Sequence, residues 1–493
     1  MAQTPGALYF SHMRDGPLIR IRLPGGRVSS GQLRVVASLA GRFGNGRIDL
    51  TNLANLQVRG LKSVQPAQLK AMLKAADLLP RAAWADRFRN IQADPLTGLV
   101  EDELIDAGPV IASLDEALQN TPVLKACYNK FSYVVDGGGP SHIRALPHDV
   151  GLVAERGRPG LWWRLYLAGV PTPFCARPGS GDAPALAIAA ARMALQFPDR
   201  SDSLFARRLK QVGFAPQGGG VSALARAVLA LSGQQENRIR RLVKHVSLED
   251  MVARLPAFLA TPCEQVKVLP KTLPKLTPSI GVLAQGGGEL KLCGFGVPLG
   301  RLEVKSLELI AQLAEEFGRG KLRFAPWHVV FIPHVKAQDA KRLLRKARES
   351  GFITDQSFLH VDVSACSGRE GCRGARLATP DHAFKVMQAF AGQGDSERFA
   401  PLSIHVSGCP KGCAHRAPSD ILALEREDAS GYYVYERSSA LAPQKQTRLA
   451  QGVTAESLPQ VIRELATRQA GTNTGLETHP ASGHKRQDAT KGR

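Results

Sequence analysis

Apolar residues at Leu33, Val36, Ala37, Leu39, Ala40 and Phe43 recur at the three- and four-residue spacing of one helix face. A strand-like run from Leu18 to Leu23 precedes them, and Gly44-Asn45-Gly46 stops the helix, since glycine enters the left-handed conformation that ends helices. A second strand, Arg47 to Leu50, follows. The same plan returns 274 positions later (Gly26 to Gly300), with strands over Leu290 to Phe295 and Lys321 to Phe324. Residues 26–46 and 300–320 align without a gap and share Gly26, Arg27, Leu33, Ala37, Leu39, Ala40, Phe43, Gly44 and Gly46 of the first copy. Two distant β-α-β copies imply two fused, pseudo-symmetric halves. Each copy is too small to bury its own sheet face, so the two are expected to pack on each other, in an α+β chain.

The remaining pattern is plainer. Leu161 to Leu167 reads as a buried strand and Pro184 to Phe197 as a core helix with proline near its first turn. Pro270, Pro274 and Pro278 exclude a regular helix and mark an extended crossing between the halves. The polar stretch from about Ala470 is expected to be disordered.

With 493 residues, the chain has room for about three domains. No run of 18 apolar residues exists, so no membrane span is expected, and the start lacks the pattern of a secretory leader, so the expected compartment is the cytoplasm. Lys and Arg number 64 against 43 Asp and Glu, a net charge of +21 that suits an anionic partner: nucleic acid, a polycarboxylate small molecule or an acidic electron-donor protein. No finger, basic-zipper or RNA-recognition signature is present, so nucleic acid is not the expected partner. The densest basic run, Arg238 to Lys244, reads as one solvated helix face.

Four of the eight cysteines, Cys127, Cys175, Cys263 and Cys293, are scattered and read as small apolar residues. The others form two close pairs: Cys366 and Cys372 with five residues between, Cys409 and Cys413 with three. Each pair follows a strand-like run, Leu359 to Val363 and Leu402 to Val406, so both are set on rigid strand ends with glycine-rich loops beyond. In a reducing compartment such pairs point to metal rather than disulfide. Four thiolates suit zinc or an iron–sulfur cluster; the five-residue spacer is wide for a zinc ribbon and favours the cluster.

The two-half layout, the cysteine pairs, the run Leu50 to Gly60 (LTNLANLQVRG), Arg89-Asn90-Ile91, and Asn129-Lys130-Phe131 with Asp136-Gly137-Gly138 together resemble the sirohaem-dependent sulfite and nitrite reductases over residues 15–430. Within that superfamily the run Ile404 to His415 (IHVSGCPKGCAH) looks most like the precorrin-3B synthases of oxygen-dependent cobalamin synthesis. The resemblance implies a ferredoxin-like half-domain over 1–78, a tetrapyrrole-binding α/β domain over 79–266, a Pro-rich linker over 267–284, a second half-domain over 285–350, a cluster-bearing α/β domain over 351–469 and a basic tail over 470–493. It implies a 4Fe–4S cluster on Cys366, Cys372, Cys409 and Cys413, and a non-haem iron whose ligands could include His142, His405, His415 or Asp136.

The departures from the reductases matter as much. The resemblance maps their cationic cage for a small oxyanion onto positions 53, 89, 130 and 132, where this chain has Leu53, Arg89, Lys130 and Ser132. Lys411 also stands between the second cysteine pair where the reductases usually carry asparagine. Losing two charges from a desolvated pocket weakens its hold on sulfite or nitrite. The expected substrates are precorrin-3A and dioxygen, the product precorrin-3B with its new hydroxyl and γ-lactone, and the expected electron source a separate NAD(P)H-linked protein. Arg59, Arg89 and Lys130 are the expected partners of the macrocycle's carboxylates. The alternative is an assimilatory sulfite or nitrite reductase that carries sirohaem. Arg89 and Lys130 follow or begin strand-like runs, as the cysteine loops do, and are expected to point toward the cluster from the half without cysteines.

Overall fold

The structure, a computed structural model, describes residues 5–62, 64–141, 143–157, 160–197, 238–243, 246–260, 263–266, 279–356, 361–390, 402–414, 419–438 and 447–473. The proline-rich crossing at 267–278, His142, His415 and the tail beyond 473 lie outside these residues. The chain divides into two compact units, residues 1–356 with 370–373, and residues 357–369 with 374–493.

In the first unit the sequence repeat builds two five-stranded sheets. One runs in the order β1 (Ser11–Met13), β2 (Gly16–Ile21), β5 (Leu56–Val58), β4 (Arg47–Leu50), β14 (Arg301–Glu303). The other runs β12 (Gly281–Ala284), β13 (Leu290–Gly296), β16 (Val329–Lys336), β15 (Lys321–Phe324), β3 (Arg27–Ser29). Each copy lends a short strand to the other's sheet: β14 pairs antiparallel with β4, and β3 with β15. The exchange needs a glycine before each lent strand. Gly26 (φ +68°) has Phe324 O where a Cβ would lie, at 2.1 Å, and Gly300 (φ +66°) has Leu50 O at 2.4 Å.

The helices Ser30–Phe43 and Val304–Phe317 bury the stripes expected of them, including Leu33, Val36, Leu39, Leu307, Ile310 and Leu313, in one core common to both copies. A capping box between Ser29 and Gln32 starts the first helix; Glu303 makes no such side-chain cap on the second. The left-handed turn after each helix falls on the second glycine of the stop signal, Gly46 (φ +79°) and Gly320 (φ +66°).

The third sheet of this unit has the order β11 (Glu264–Gln265), β10 (Val170–Ala176), β9 (Gly160–Leu167), β8 (Val150–Gly157), β7 (Tyr133–Asp136), β6 (Ile91–Ala93). Strands β6, β7 and β8 are parallel and the rest antiparallel. Buried Trp162 and Trp163 make β9 the inner strand its apolar run predicts. The core helix spans Asp182–Ala194, ending three residues before the apolar pattern does. The basic run corrects its sequence reading. Among its described residues Ile239–Leu242 is helical, buried Arg238 stacks over Tyr128, and Arg240 lies 3.6 Å from buried Asp149.

The second unit holds one sheet in the order β17 (Val361–Ala365), β18 (Leu402–Ser407), β19 (Ser419–Glu425), β20 (Tyr432–Ser438), β21 (Arg448–Val453), with helices Thr379–Ala389 and Leu458–Asn473. Strands β17, β18 and β19 are parallel; β20 and β21 return antiparallel. This is the strand order and direction of β6 to β10. Among the described residues no helix is long and apolar enough to cross a membrane.

Candidate functional site

Strands β17 and β18 run parallel with Ala365 opposite Val406, so the residues that leave them meet. The Gly408 N–H donates to Cys366 Sγ at 3.2 Å. The Thr379 hydroxyl lies 3.2 Å from the same sulfur and 3.2 Å from the Cys366 carbonyl oxygen. Two glycines permit this approach. A Cβ on Gly408 would stand 2.4 Å from the Ala375 Cβ, and one on Gly368 (φ +65°) 2.7 Å from Pro380 Cδ. Buried Glu425, at the end of β19, accepts the Arg376 and Leu377 N–H groups, and the Tyr432 hydroxyl meets His382 Nδ1 at 2.6 Å. Cys409 follows β18 half-buried, its carbonyl accepting from the Ser407 hydroxyl, and Cys413 is exposed. Thr379 escaped the sequence reading because it lies thirteen residues from Cys366; a Thr-Pro pair opening a helix after a glycine-rich stretch was its signal.

Cys372, half-buried, belongs to the first unit, where its segment is clamped from both sides. Arg59 Nη2 donates to the Gly371 carbonyl at 3.2 Å, and Arg47 pairs with Glu370. Arg59 is itself buried and forked between Asp15 (2.8 Å) and Asp49 (3.0 Å). The structure thus sets Arg59 as an anchor beside a cysteine.

Arg89 grips Asp115 through two hydrogen bonds of 2.6 and 2.8 Å, and Lys130 is half-buried. Asn90 stitches their two segments together, donating to the Phe131 carbonyl at 2.9 Å while accepting from Arg22. Both cations precede their strands, β6 and β7. Of the two placements expected, the structure has the cations at strand starts, whereas Cys366 and Cys409 lie beyond strand ends. Beyond β6 and β7 come Asp94 and Asp136 instead. Asp136 is fully buried and filled by Arg144 and the Gly138 N–H; Asp94, also fully buried, accepts from the Leu96 N–H. Burial chiefly, with Asp136 nearby, pushes the Asp94 carboxyl up to about 7.

Ser132 occupies a clamp. Its amide and its hydroxyl both donate to Asp149 Oδ2, at 3.0 and 3.2 Å. Ser403, at the matching step of β18, does the same to Asp420 at 2.8 and 2.7 Å. Leu53 is half-buried.

His405 is buried within β18. Cys127, Cys175 and Cys293 are buried, and burial pushes the thiols of Cys175 up to about 11 and Cys293 to about 12, as suits inert packing residues. Cys263 is half-buried. Among the described residues no three His, Cys, Asp or Glu side chains gather tightly enough to hold a single metal ion. The expected non-haem iron therefore finds no ready ligand set among them. A cubane makes a different demand, since its sulfurs are spread over four irons. An N–H that donates to one buried cysteine sulfur, with a hydroxyl 3.2 Å from the same sulfur, suits a thiolate that carries such a cluster.

The model of the nitrite/sulfite reductase ferredoxin-like half domain matches residues 12–76 and 284–350, the two sheets that exchange strands. The solved structure of the Mycobacterium tuberculosis NirA protein covers 94% of this chain and 82% of its own at a TM-score of 0.70 and 18% identity. The chain carries two nitrite/sulfite reductase ferredoxin-like half domains. Curated relatives in the superfamily carry two different names. The ferredoxin–nitrite reductase of Synechococcus elongatus is 24% identical over 92% of this chain and 86% of its own. The precorrin-3B synthase of a Sinorhizobium species is 24% identical over 91% and 86%. The nitrite and sulfite reductases among such proteins are oxidoreductases that use a 4Fe–4S cluster and sirohaem.

Proposed function

We propose that this chain is a precorrin-3B synthase, an iron–sulfur monooxygenase that hydroxylates precorrin-3A with γ-lactone formation. One observation carries the choice over nitrite or sulfite reduction. At position 132, where the resemblance places a cation of the oxyanion cage, the chain has a serine whose amide and hydroxyl are both committed to buried Asp149. The same clamp at Ser403–Asp420 marks it as part of the scaffold. Leu53 adds an apolar side chain where a second cation would be needed. A small oxyanion loses two partners there, while a macrocycle with many carboxylates still has Arg89 and Lys130 to meet.

Cys366, Cys372, Cys409 and Cys413 would hold the 4Fe–4S cluster, which supplies one-electron transfer when bound. The electrons come from a separate NAD(P)H-linked protein. Inserting one oxygen atom of dioxygen reduces the other to water, with two electrons and two protons consumed. Arg59 holds the backbone next to Cys372, and Arg89 and Lys130 orient the substrate's carboxylates.

The reductase reading keeps one argument, the equal identity of the nitrite reductase relative. An optical spectrum of the anaerobically purified protein separates the two. The synthase has the broad brown absorbance of a cluster, and with precorrin-3A, dioxygen and reductant it yields a product heavier by one oxygen atom. Intense Soret and red bands of bound sirohaem, with nitrite or sulfite turnover, overturn the proposal.

A further inference from the structure

We infer that Thr379 is a redox-positioning residue: its hydroxyl donates to the Cys366 thiolate and raises the reduction potential of the cluster that this thiolate holds. The inference rests on the iron–sulfur reading above and adds a residue that the cysteine spacing does not reveal.

The geometry gives the Thr379 hydroxyl two acceptors and one proton. Its oxygen is 3.2 Å from Cys366 Sγ and 3.2 Å from the Cys366 carbonyl oxygen. Thr379 is fully buried, so no solvent competes for that proton. A neutral thiol is a weak acceptor, and beside it the carbonyl wins. A thiolate is a charged acceptor, and hydrogen bonds to charged groups are about twice as strong as neutral ones. Ligation deprotonates the cysteine, so the proton turns from the oxygen to the sulfur with no heavy atom moving. When one electron enters the cluster, more negative charge falls on its sulfurs, and the donor stabilises the reduced form more than the oxidised one. Burial strengthens the effect, because a low local dielectric leaves the interaction unscreened.

The second donor to this sulfur, the Gly408 N–H, is fixed backbone. Thr379 is the donor that a side-chain substitution removes. The Cys366 loop lies directly on this helix start: a Cβ on Gly368 would lie 3.0 Å from the Thr379 hydroxyl oxygen and 2.7 Å from Pro380 Cδ.

The experiment is a mediated dithionite titration of the cluster, followed by electron paramagnetic resonance, in the wild type, Thr379→Val and Thr379→Ser. Valine keeps the shape and loses the proton; serine keeps the proton. The expected result is an intact cluster in Thr379→Val whose one-electron equilibrium shifts about tenfold toward the oxidised form, about 59 mV more negative. Thr379→Ser returns toward the wild-type potential. Thr379→Ala serves as a second variant should valine impair folding, with the same direction expected. An intact cluster at wild-type potential in both Thr379→Val and Thr379→Ala overturns the inference and leaves the functional reading standing. A wild-type protein that binds no iron and sulfide fails the functional reading itself, and this inference with it.

Discussion

The sheet of β6 to β10 and the sheet of β17 to β21 share strand order, direction and register, yet their corresponding loops carry opposite chemistry. Ala93 faces Val135 and is followed by Asp94; Ala365 faces Val406 and is followed by Cys366. In one unit the strand ends open into Asp94 and Asp136, the latter closed by Arg144. In the other they open into a cysteine sulfur that accepts from the Gly408 N–H and lies 3.2 Å from the Thr379 hydroxyl. The scaffold beneath is kept. Gly137 and Gly408 fill the same step, and a Cβ would strike the Ile105 carbonyl oxygen at 2.3 Å in one and the Ala375 Cβ at 2.4 Å in the other. Ser132–Asp149 and Ser403–Asp420 tie the strand starts in the same way. The difference teaches that the repeated layer specifies where a loop stands, while the side chains at its rim decide whether a cysteine or a carboxylate paired with arginine stands there.

The largest expected effect tests that division directly. Cys366→Ala should reduce iron and acid-labile sulfide to background, while Asp94→Ala at the matching step leaves both at wild-type levels. Metal analysis of the two purified variants checks it, and loss of iron in both would mean that the loops are not separate in function. Next come the shared glycines. Gly137→Ala places a methyl against main chain and Glu103, and should cost about 3 kcal/mol in chemical denaturation. Gly408→Ala meets the end of a small side chain, and should cost about 1–2 kcal/mol while also perturbing the cluster spectrum. A smaller effect is expected at the cation end. Arg89→Met leaves Asp115, mostly buried, without its partner and should cost about 2 kcal/mol. It should also weaken tetrapyrrole binding at least tenfold, measured by fluorescence quenching, with the cluster spectrum unchanged. Ser132→Ala should cost about 1–2 kcal/mol and Ser403→Ala less, because Asp149 is fully buried and Asp420 is not.

The fold was legible wherever periodicity and repetition spoke together. The gapless match of 26–46 with 300–320 foretold two β-α-β copies packed on one core, because apolar stripes at identical steps must bury against similar surfaces. It did not foretell the exchange of β3 and β14, since three-residue strands carry no period, and only the paired glycines Gly26 and Gly300 hint at the close approach. The second repeat, between β6–β10 and β17–β21, was expected from the family resemblance alone, because sheet order depends on distant pairing and leaves no run of identities to align. At the site, the cysteine spacing was readable because thiolates at strand ends have few other uses. Arg59 and Arg89 were harder: a sequence marks a cation but not the acid that meets it, and Asp15, Asp49 and Asp115 lie 44, 10 and 26 residues away. Thr379 shows the same limit, since a hydroxyl acts through one contact and leaves no pattern.

The smallest expected effect follows the pH dependence of Asp94. In the fold its carboxyl holds a proton up to about pH 7, whereas an unfolded chain releases it near 3.8. Between those values the folded chain binds more protons than the unfolded one, so stability falls as pH rises from about 4 to about 7 and is flat beyond either limit for this group. The cause is burial first, then the neighbouring charges of Asp136 and Glu103, opposed by the Leu96 N–H and the Ser141 hydroxyl. Asp94→Asn removes the titration and keeps the acceptor for Leu96, but its amide brings two donors into a site with few acceptors. The variant should therefore match the wild type near pH 4.5 or fall slightly below it. It should gain on the wild type through pH 7, reaching about 1–2 kcal/mol at pH 8. Thermal unfolding midpoints of the two proteins at pH 4.5, 6 and 8 measure the gap. At the neighbouring strand end, Asp136→Asn breaks the buried pair with Arg144 and should lower the midpoint at pH 8. A gap between Asp94→Asn and wild type that does not widen with pH would mean that the carboxyl is already ionised at pH 4.5.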